Sequence, residues 1–213
     1  MGTVDILLIG ANNPSIIRVI DRINKQTDEK IRIEALLDND VSKHGTYLLD
    51  HKIVGGFERL SDYPPSAFKV INSIASSMKV RRAITKDLIE RGYDFHTLVD
   101  PSLEQRYTKI GKGTVVYENA MLQPNVNIGE HCIISAQSGV AHDSVVGNYV
   151  FIGPNSYTCG RCTINDGAYI GTSATIIPET IIGSGAIIGA GAIVTKSLPP
   201  DNTYVGMPAK AKF

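Results

Sequence analysis

The sequence has no tryptophan and only three cysteines, Cys132, Cys159 and Cys162, among 213 residues. An odd, small number excludes an even disulfide framework. "CGRC" at 159–162 has Cys-x-x-Cys spacing, but zinc would need two more soft ligands nearby, and only Cys132 and His131 are at hand. Neither sign of charge is in excess, since 21 Lys plus Arg balance 21 Asp plus Glu. No basic stripe therefore points to nucleic acid or to an anionic membrane surface. Long apolar runs are missing too. The most apolar N-terminal stretch, "VDILLIG", is too short to span a bilayer and lacks the charged flank and cleavage site of a signal peptide. A cytoplasmic protein is expected, built as one large domain or two modest ones.

What is present in quantity is a repeat. Every sixth residue from 110 reads Ile110, Val116, Leu122, Ile128, Ile134, Val140, Val146, Ile152, Thr158, Ile164, Ile170, Ile176, Ile182, Ile188 and Val194. All but Thr158 are branched aliphatics, and Thr158 is itself β-branched. Glycine often follows at the next position, and a small residue such as Cys132, Ser144, Cys162 or Ala174 falls four places on. This is the hexapeptide repeat of a parallel β-helix. Three units close one triangular coil of about eighteen residues, so fifteen units predict about five coils, roughly 24 Å tall at the strand spacing. Cys132 and Cys162 occupy the small position and Cys159 the glycine position, which assigns all three to packing.

The first hundred residues follow other periods. "VDILLIG" reads as a buried strand ending at Gly10. Pro14 opens a helix whose apolar face is Ile16, Ile17, Val19, Ile20 and Ile23. "IRIEALLD" is a second strand ending at Asp38, "FKVINSI" a third, and "KVRRAITKDLIERG" a helix closed by Gly92. Strand, helix, strand in this order predicts a small α/β, Rossmann-like unit, which binds ligands at the carboxyl ends of its strands. The expected domains are residues 1–97, a β-helix at 98–199 and a C-terminal tail at 200–213.

This domain order, together with "HD" at 142–143, "LLDND" at 36–40, "TLVDPS" before the repeats and the closing "VGMPAK", resembles the bacterial sugar acyltransferases of surface-glycan pathways. That family includes sialic acid O-acetyltransferases and N-acetyltransferases of nucleotide-linked 4-amino sugars. The resemblance spans nearly the whole chain. It implies a left-handed β-helix, a homotrimer with active sites between neighbouring helices, acetyl-CoA as co-substrate and no metal. It also implies that the small domain holds the nucleotide of a nucleotide-sugar acceptor.

His142 stands two residues after the inward Val140, at an outward or corner position. Acyl transfer from a thioester to an amine needs a base, and an imidazole serves well at neutral pH. A carboxylate beside it orients the ring and stabilises the imidazolium. The resemblance makes His142 the base and Asp143 the acid that raises its basicity. Gly160, eighteen residues on, lies over His142 on the next coil. It either leaves room for a pantetheine arm or serves a tight turn. By the same resemblance Thr172 and Ala190 offer backbone groups to coenzyme A, and Lys210 supplies a cation for its phosphates. His131 reads as a solvated corner residue, and His44, His51 and His96 as ordinary surface histidines.

Two stretches depart from the family pattern. Its members usually carry a glycine-rich stretch with a histidine where this chain has "GANNPSI". Gly10 and Ala11 survive, while Asn12, Asn13 and Pro14 replace the rest, leaving Ser15 as a phosphate partner. Either a nucleotide site persists with altered contacts or it has been lost. Asp38 and Asn39 match the family's acidic pair, with one acid become an amide, and Asn72 and Ser73 close the third strand at the same rim. Nine residues after His142 many members have a histidine, where this chain has Phe151, an aromatic able to pack on the pantetheine arm.

N-acetylation of a nucleotide-linked amino sugar is the leading expectation, with O-acetylation of a sugar hydroxyl as the alternative. A zinc hydratase on the same helix would need three converging histidines, and the repeats hold only His131 and His142. A non-catalytic trimeric scaffold is favoured by the altered glycine motif and opposed by the intact His142–Asp143 pair.

Overall fold

The computed structural model describes residues 2–212. They form two compact units that meet between Pro101 and Ser102.

The first unit is a parallel sheet with helices. Strand β1 (Thr3–Ile9) leads into α1 (Ser15–Gln26) and back to β2 (Lys30–Leu37). The chain continues through β3 (Tyr47–Leu48), β4 (His51–Gly55), β5 (Lys69–Asn72), α2 (Met78–Glu90), β6 (Asp94–Phe95) and β7 (Leu98–Val99). The sheet order is β3-β4-β2-β1-β5-β6. Every pair is parallel except β3 with β4. The five isoleucines and valines expected on the inner face of α1 are all buried. Leu7, Ile9, Leu37, Val70, Leu88 and Phe95 pack into one cluster, each worth about 1.5–3 kcal/mol of burial. Ser77 caps α2 by accepting from the Val80 N–H, and Gly92 ends it at φ +88°, a conformation that costs glycine nothing.

The boundary expected at residue 97 lies further on. Asp100, fully buried, pairs with Arg22 of α1 at 2.5 Å. That ion pair ties the segment through Pro101 to the first unit.

The second unit is the β-helix. Fifteen two-residue strands, β8 (Lys109–Ile110) to β22 (Ile193–Val194), begin at every sixth residue. Each pairs in parallel with the strand eighteen residues away. One face runs through Met121, Gly139, Tyr157, Thr175 and Ile193, and a second through Lys109, Asn127, Val145, Thr163 and Ile181. The third, through Val115, Ile133, Phe151, Tyr169 and Ile187, continues into β23 (Thr203–Val205) and the antiparallel β24 (Lys210–Ala211).

From Val116 onward every six-spaced inward residue is buried, as is the small residue four places after each. Glycines after the inward residues permit close stacking: a Cβ on Gly129 would meet the Gly147 carbonyl oxygen at 2.5 Å. The left-handed bend falls two residues later. Asn125, His131, Asp143 and Arg161 all adopt it, with φ between 56 and 66°. Asn and Asp enter this region most readily among non-glycine residues.

Candidate active site

His142 and Asp143 occupy one bend of the β-helix. His142 Nδ1 lies 2.8 Å from Asp143 Oδ2. The carboxyl is held below the usual carboxylate range, first by the hydrogen bond from His142 and next by that from Asn125. An ionised carboxylate only accepts, so Nδ1 carries a proton, and the neutral form of the ring then keeps its lone pair on Nε2. The side chains of His142 and Asp143 are each about half exposed, at 48% and 47%.

The preceding coil holds this pair through three consecutive residues. The Gln123 side-chain oxygen accepts from the His142 N–H at 3.0 Å. The Pro124 carbonyl accepts from the Asp143 N–H at 3.2 Å. The Asn125 amide donates to Asp143 Oδ1 at 2.9 Å. Sequence reasoning passed over these residues, although subtracting one coil of eighteen from 141–143 points to them.

Gly160 lies on the other side of the ring. A Cβ there would stand 2.7 Å from His142 Nε2 and 2.8 Å from Cε1. The glycine thus leaves the imidazole its place, since a side chain at 160 would press on the ring. The Gly160 N–H has no hydrogen-bond partner among the described residues.

The other expected cofactor residues stand elsewhere. Thr172 and Ala190 share a different bend, after the third face, where both are exposed. Their N–H groups make no hydrogen bond among the described residues. Lys210 is exposed in β24, which extends that same face. Phe151 lies on the third face too, buried and stacked on Tyr169 at 4.4 Å between ring centroids. One chain therefore brings His142, Asp143 and Gly160 together and keeps Thr172, Ala190 and Lys210 apart from them.

His131 is buried and stacked on Tyr149, eighteen residues on, at 5.2 Å. The expected solvated corner histidine is instead half of a stacked pair, because side chains at equivalent bends lie over one another. Cys132 and Cys162 are buried at the small position, with Cys159 half-buried. Their thiols point to backbone carbonyls, Cys132 to Gly147 at 3.0 Å and Cys162 to Ile177 at 3.2 Å. Among the described residues no group of three or more His, Cys, Asp or Glu side chains is placed to hold a metal ion. Among the described residues no helix is long and apolar enough to cross a membrane.

The first unit has its own pocket, of about 150 Å³, at the carboxyl ends of β1, β2 and β5. Gly10, Asn12, Asp38, Asn39, Phe57, Ile74 and Ile84 line it. Asp38 knits its wall: Oδ2 accepts from the Ala11 N–H at 2.8 Å and Oδ1 from the Asp40 N–H at 2.9 Å. Lys43 Nζ reaches Asp38 Oδ2 at 2.9 Å and Asn12 Oδ1 at 2.6 Å. Burial pushes the Asp38 carboxyl up, but the Lys43 ammonium and the two N–H donors outweigh it and hold it below its ordinary value. Asn39 accepts from the Phe57 N–H at 2.8 Å. Ser15, expected near a phosphate, is the first residue of α1, with its N–H on Asn13 Oδ1.

Asn72 and Ser73 lie beneath the rim rather than on it. Asn72 is buried and donates to Thr85 Oγ1 at 3.1 Å, while Ser73 donates to the Ile9 and Gly10 carbonyls at 3.0 and 2.7 Å. Ser73 buttresses the turn after β1, and Asn72 ties the end of β5 to α2. Lys43, missed in the sequence, stands at the pocket they support.

The chain is similar to known proteins in sequence and in fold. The family described as bacterial transferase hexapeptide (six repeats) matches residues 107–142, 143–178 and 161–196. GDP-perosamine N-acetyltransferase of Escherichia coli O157:H7 is 36% identical over 57% of this chain and 58% of its own length. A UDP-3-O-acylglucosamine N-acyltransferase of Methylobacterium nodulans is 34% identical over 42% of this chain and 25% of its own. The chain thus matches only about half, or a quarter, of the length of these curated relatives. Among solved structures, WeeI from Acinetobacter baumannii AYE superposes with a TM-score of 0.83 at 28% identity, covering 99% of this chain and 100% of its own. A perosamine N-acetyltransferase from Caulobacter crescentus, solved with CoA and GDP-perosamine, reaches 0.87 at 22% identity over 98% and 97%. The fold is a left-handed hexapeptide-repeat β-helix preceded by an α/β region.

Proposed function

We propose, from the match of residues 107–196 to the bacterial transferase hexapeptide family, that the chain is an acetyl-CoA-dependent N-acetyltransferase acting on the amine of a nucleotide-linked amino sugar. The observation that carries this reading is the half-exposed His142–Asp143 pair at 2.8 Å, with Nε2 beside Gly160. His142 takes the amine proton through Nε2 as the new C–N bond forms. It returns that proton to the sulfur as the thioester C–S bond breaks. Asp143 stabilises the imidazolium in between, and the free Gly160 N–H is suited to the carbonyl oxygen as it gains charge. Base assistance of this kind contributes about 10²–10⁴ in rate.

The relatives named for perosamine N-acetylation favour an amine over a hydroxyl acceptor. The first unit serves, on this reading, as a Rossmann-like module for the nucleotide, with its pocket at the carboxyl ends of β1, β2 and β5. Asp38, Asn39 and Asn12 line that pocket. Because Thr172, Ala190 and Lys210 stand apart from His142 within one chain, the coenzyme A site is completed by a neighbouring copy in a homotrimer.

The test is thiol release from acetyl-CoA across nucleotide-linked 4-amino sugars and free sialic acid, for the wild type and His142→Ala. Turnover on an amino sugar that falls at least about 10²-fold in the variant is the expected result. Turnover on sialic acid alone would move the assignment to O-acetylation. Silence on every acceptor would overturn the enzymatic reading.

A further inference from the structure

We propose that Asn125 is a positioning residue that acts through Asp143 on His142; the inference rests on the acetyltransferase reading above. Asn125, Asp143, Arg161 and Glu179 occupy the same bend on successive coils, each in the left-handed conformation. Asp143 Oδ2 faces His142 Nδ1, and Oδ1 takes the Asn125 amide at 2.9 Å. Arg161 stands close enough to help hold the Asp143 carboxyl low. Its guanidinium nevertheless turns to the next coil, where Nε and Nη2 both bond Glu179 Oε1, at 2.9 and 2.7 Å.

The choice of partner matters chemically. A carboxylate bound directly by a guanidinium would have its charge answered there, and two parallel bonds would turn it toward the cation. A neutral amide on Oδ1 fixes the carboxylate plane and leaves its negative charge for the imidazolium that forms during proton transfer. Glu179 occupies the cation that would otherwise compete. Asn125 thus fixes the Nδ1–H tautomer and aims Nε2 outward, without touching a substrate.

Asn125 sits at φ +66°, so Asn125→Gly removes the amide without backbone strain. Asn119→Gly, at a bend with φ +55° on a different corner, controls for glycine at such a position. Activity with acetyl-CoA and the accepted sugar is measured for Asn125→Gly, Asp143→Ala, the double variant and the control. Asn125→Gly is expected to lower kcat about tenfold, within the coupling expected of residues in direct contact, with KM for acetyl-CoA unchanged. In the Asp143→Ala background it should cost less than about twofold. A loss of the same size in both backgrounds, or none in either, overturns the proposal.

A second readout needs no substrate. Nitrogen NMR of the His142 ring should show Nδ1 protonated in the wild type and a shift toward the Nε2–H tautomer in Asn125→Gly. An unchanged tautomer overturns the positioning role even if no acceptor is turned over, so that failure stays distinct from failure of the acetyltransferase reading.

Discussion

Gly160 and His142 are in contact across adjacent coils: a Cβ on the glycine would stand 2.7 Å from the imidazole Nε2. That distance is shorter than real Cβ contacts allow, so any side chain at 160 must displace the ring. The backbone of Gly160 also borders the atom that would receive the amine proton.

Gly160→Ala is therefore expected to lower kcat about 10²-fold, the scale of an ångström-sized misplacement of a reacting group. The melting temperature should stay within a few degrees of the wild type, because the ring is half exposed and can move. Steady-state kinetics beside a thermal scan checks both. Full activity in the alanine variant would show that the ring position does not matter.

The outer faces carry apolar side chains that a lone chain leaves wet. Val145 and Ile181 share one face, at 46% and 51% exposure. On the trimer reading, Ile181→Glu places a charge in an interface and should convert a species of three 23.0 kDa chains into monomers, with acetyl transfer lost alongside. Light scattering coupled to gel filtration measures the mass. A wild type that runs as a monomer would remove the trimer from the account.

Inside the β-helix, Thr158 is the one hydroxyl in the column of inward residues, between Val140 and Ile176. Its Oγ1 is buried without a hydrogen-bond partner. Desolvating an unpaired hydroxyl costs about 1–3 kcal/mol, and valine has nearly the same shape. Thr158→Val should raise the melting temperature by about 2–12 °C at this chain length. Differential scanning calorimetry reads the shift, and an unchanged or lower value would mean the hydroxyl is satisfied in solution.

His96 should make the first unit sensitive to mild acid. It is buried, with Nε2 3.4 Å from Glu29 Oε1 and no hydrogen bond. Burial pushes its pKa down, and the nearby Glu29 carboxylate only partly opposes this. A folded pKa below the unfolded value, about 6.5, means the unfolded chain takes up the proton first. The stability is thus complete above about pH 6.5 and is lost as pH falls toward the depressed value. Melting temperatures from pH 7.5 to 5 should fall more steeply for the wild type than for His96→Phe. Equal slopes would place the acid sensitivity elsewhere.

Much of this architecture could be read in one dimension. A register of six locates the inward residues, because each unit of a β-helix solves the same burial problem as its neighbours. The small residues four places on follow for the same reason, and all are buried. The apolar face of α1 was legible from helical spacing, and the candidate pair from an imidazole and a carboxylate side by side.

Relations across coils were less visible. His131 and Tyr149, or Asn125 and Asp143, are eighteen residues apart and meet only because the coils stack in register. In the first unit, Asn72 and Ser73 looked like rim residues but turn their polar groups inward. Lys43, from the loop after β2, arrives at Asp38 and Asn12 unannounced by any motif.

The sequence by itself determined the β-helix, the α/β region before it and the identity of the two groups suited to proton transfer, since periodicity and side-chain chemistry are local properties. Only the tertiary structure decided which atoms those groups face. Hydrogen-bond direction, the 2.7 Å approach at Gly160 and the choice between a neutral and a charged partner for Asp143 depend on distances between coils, which no spacing along the chain specifies.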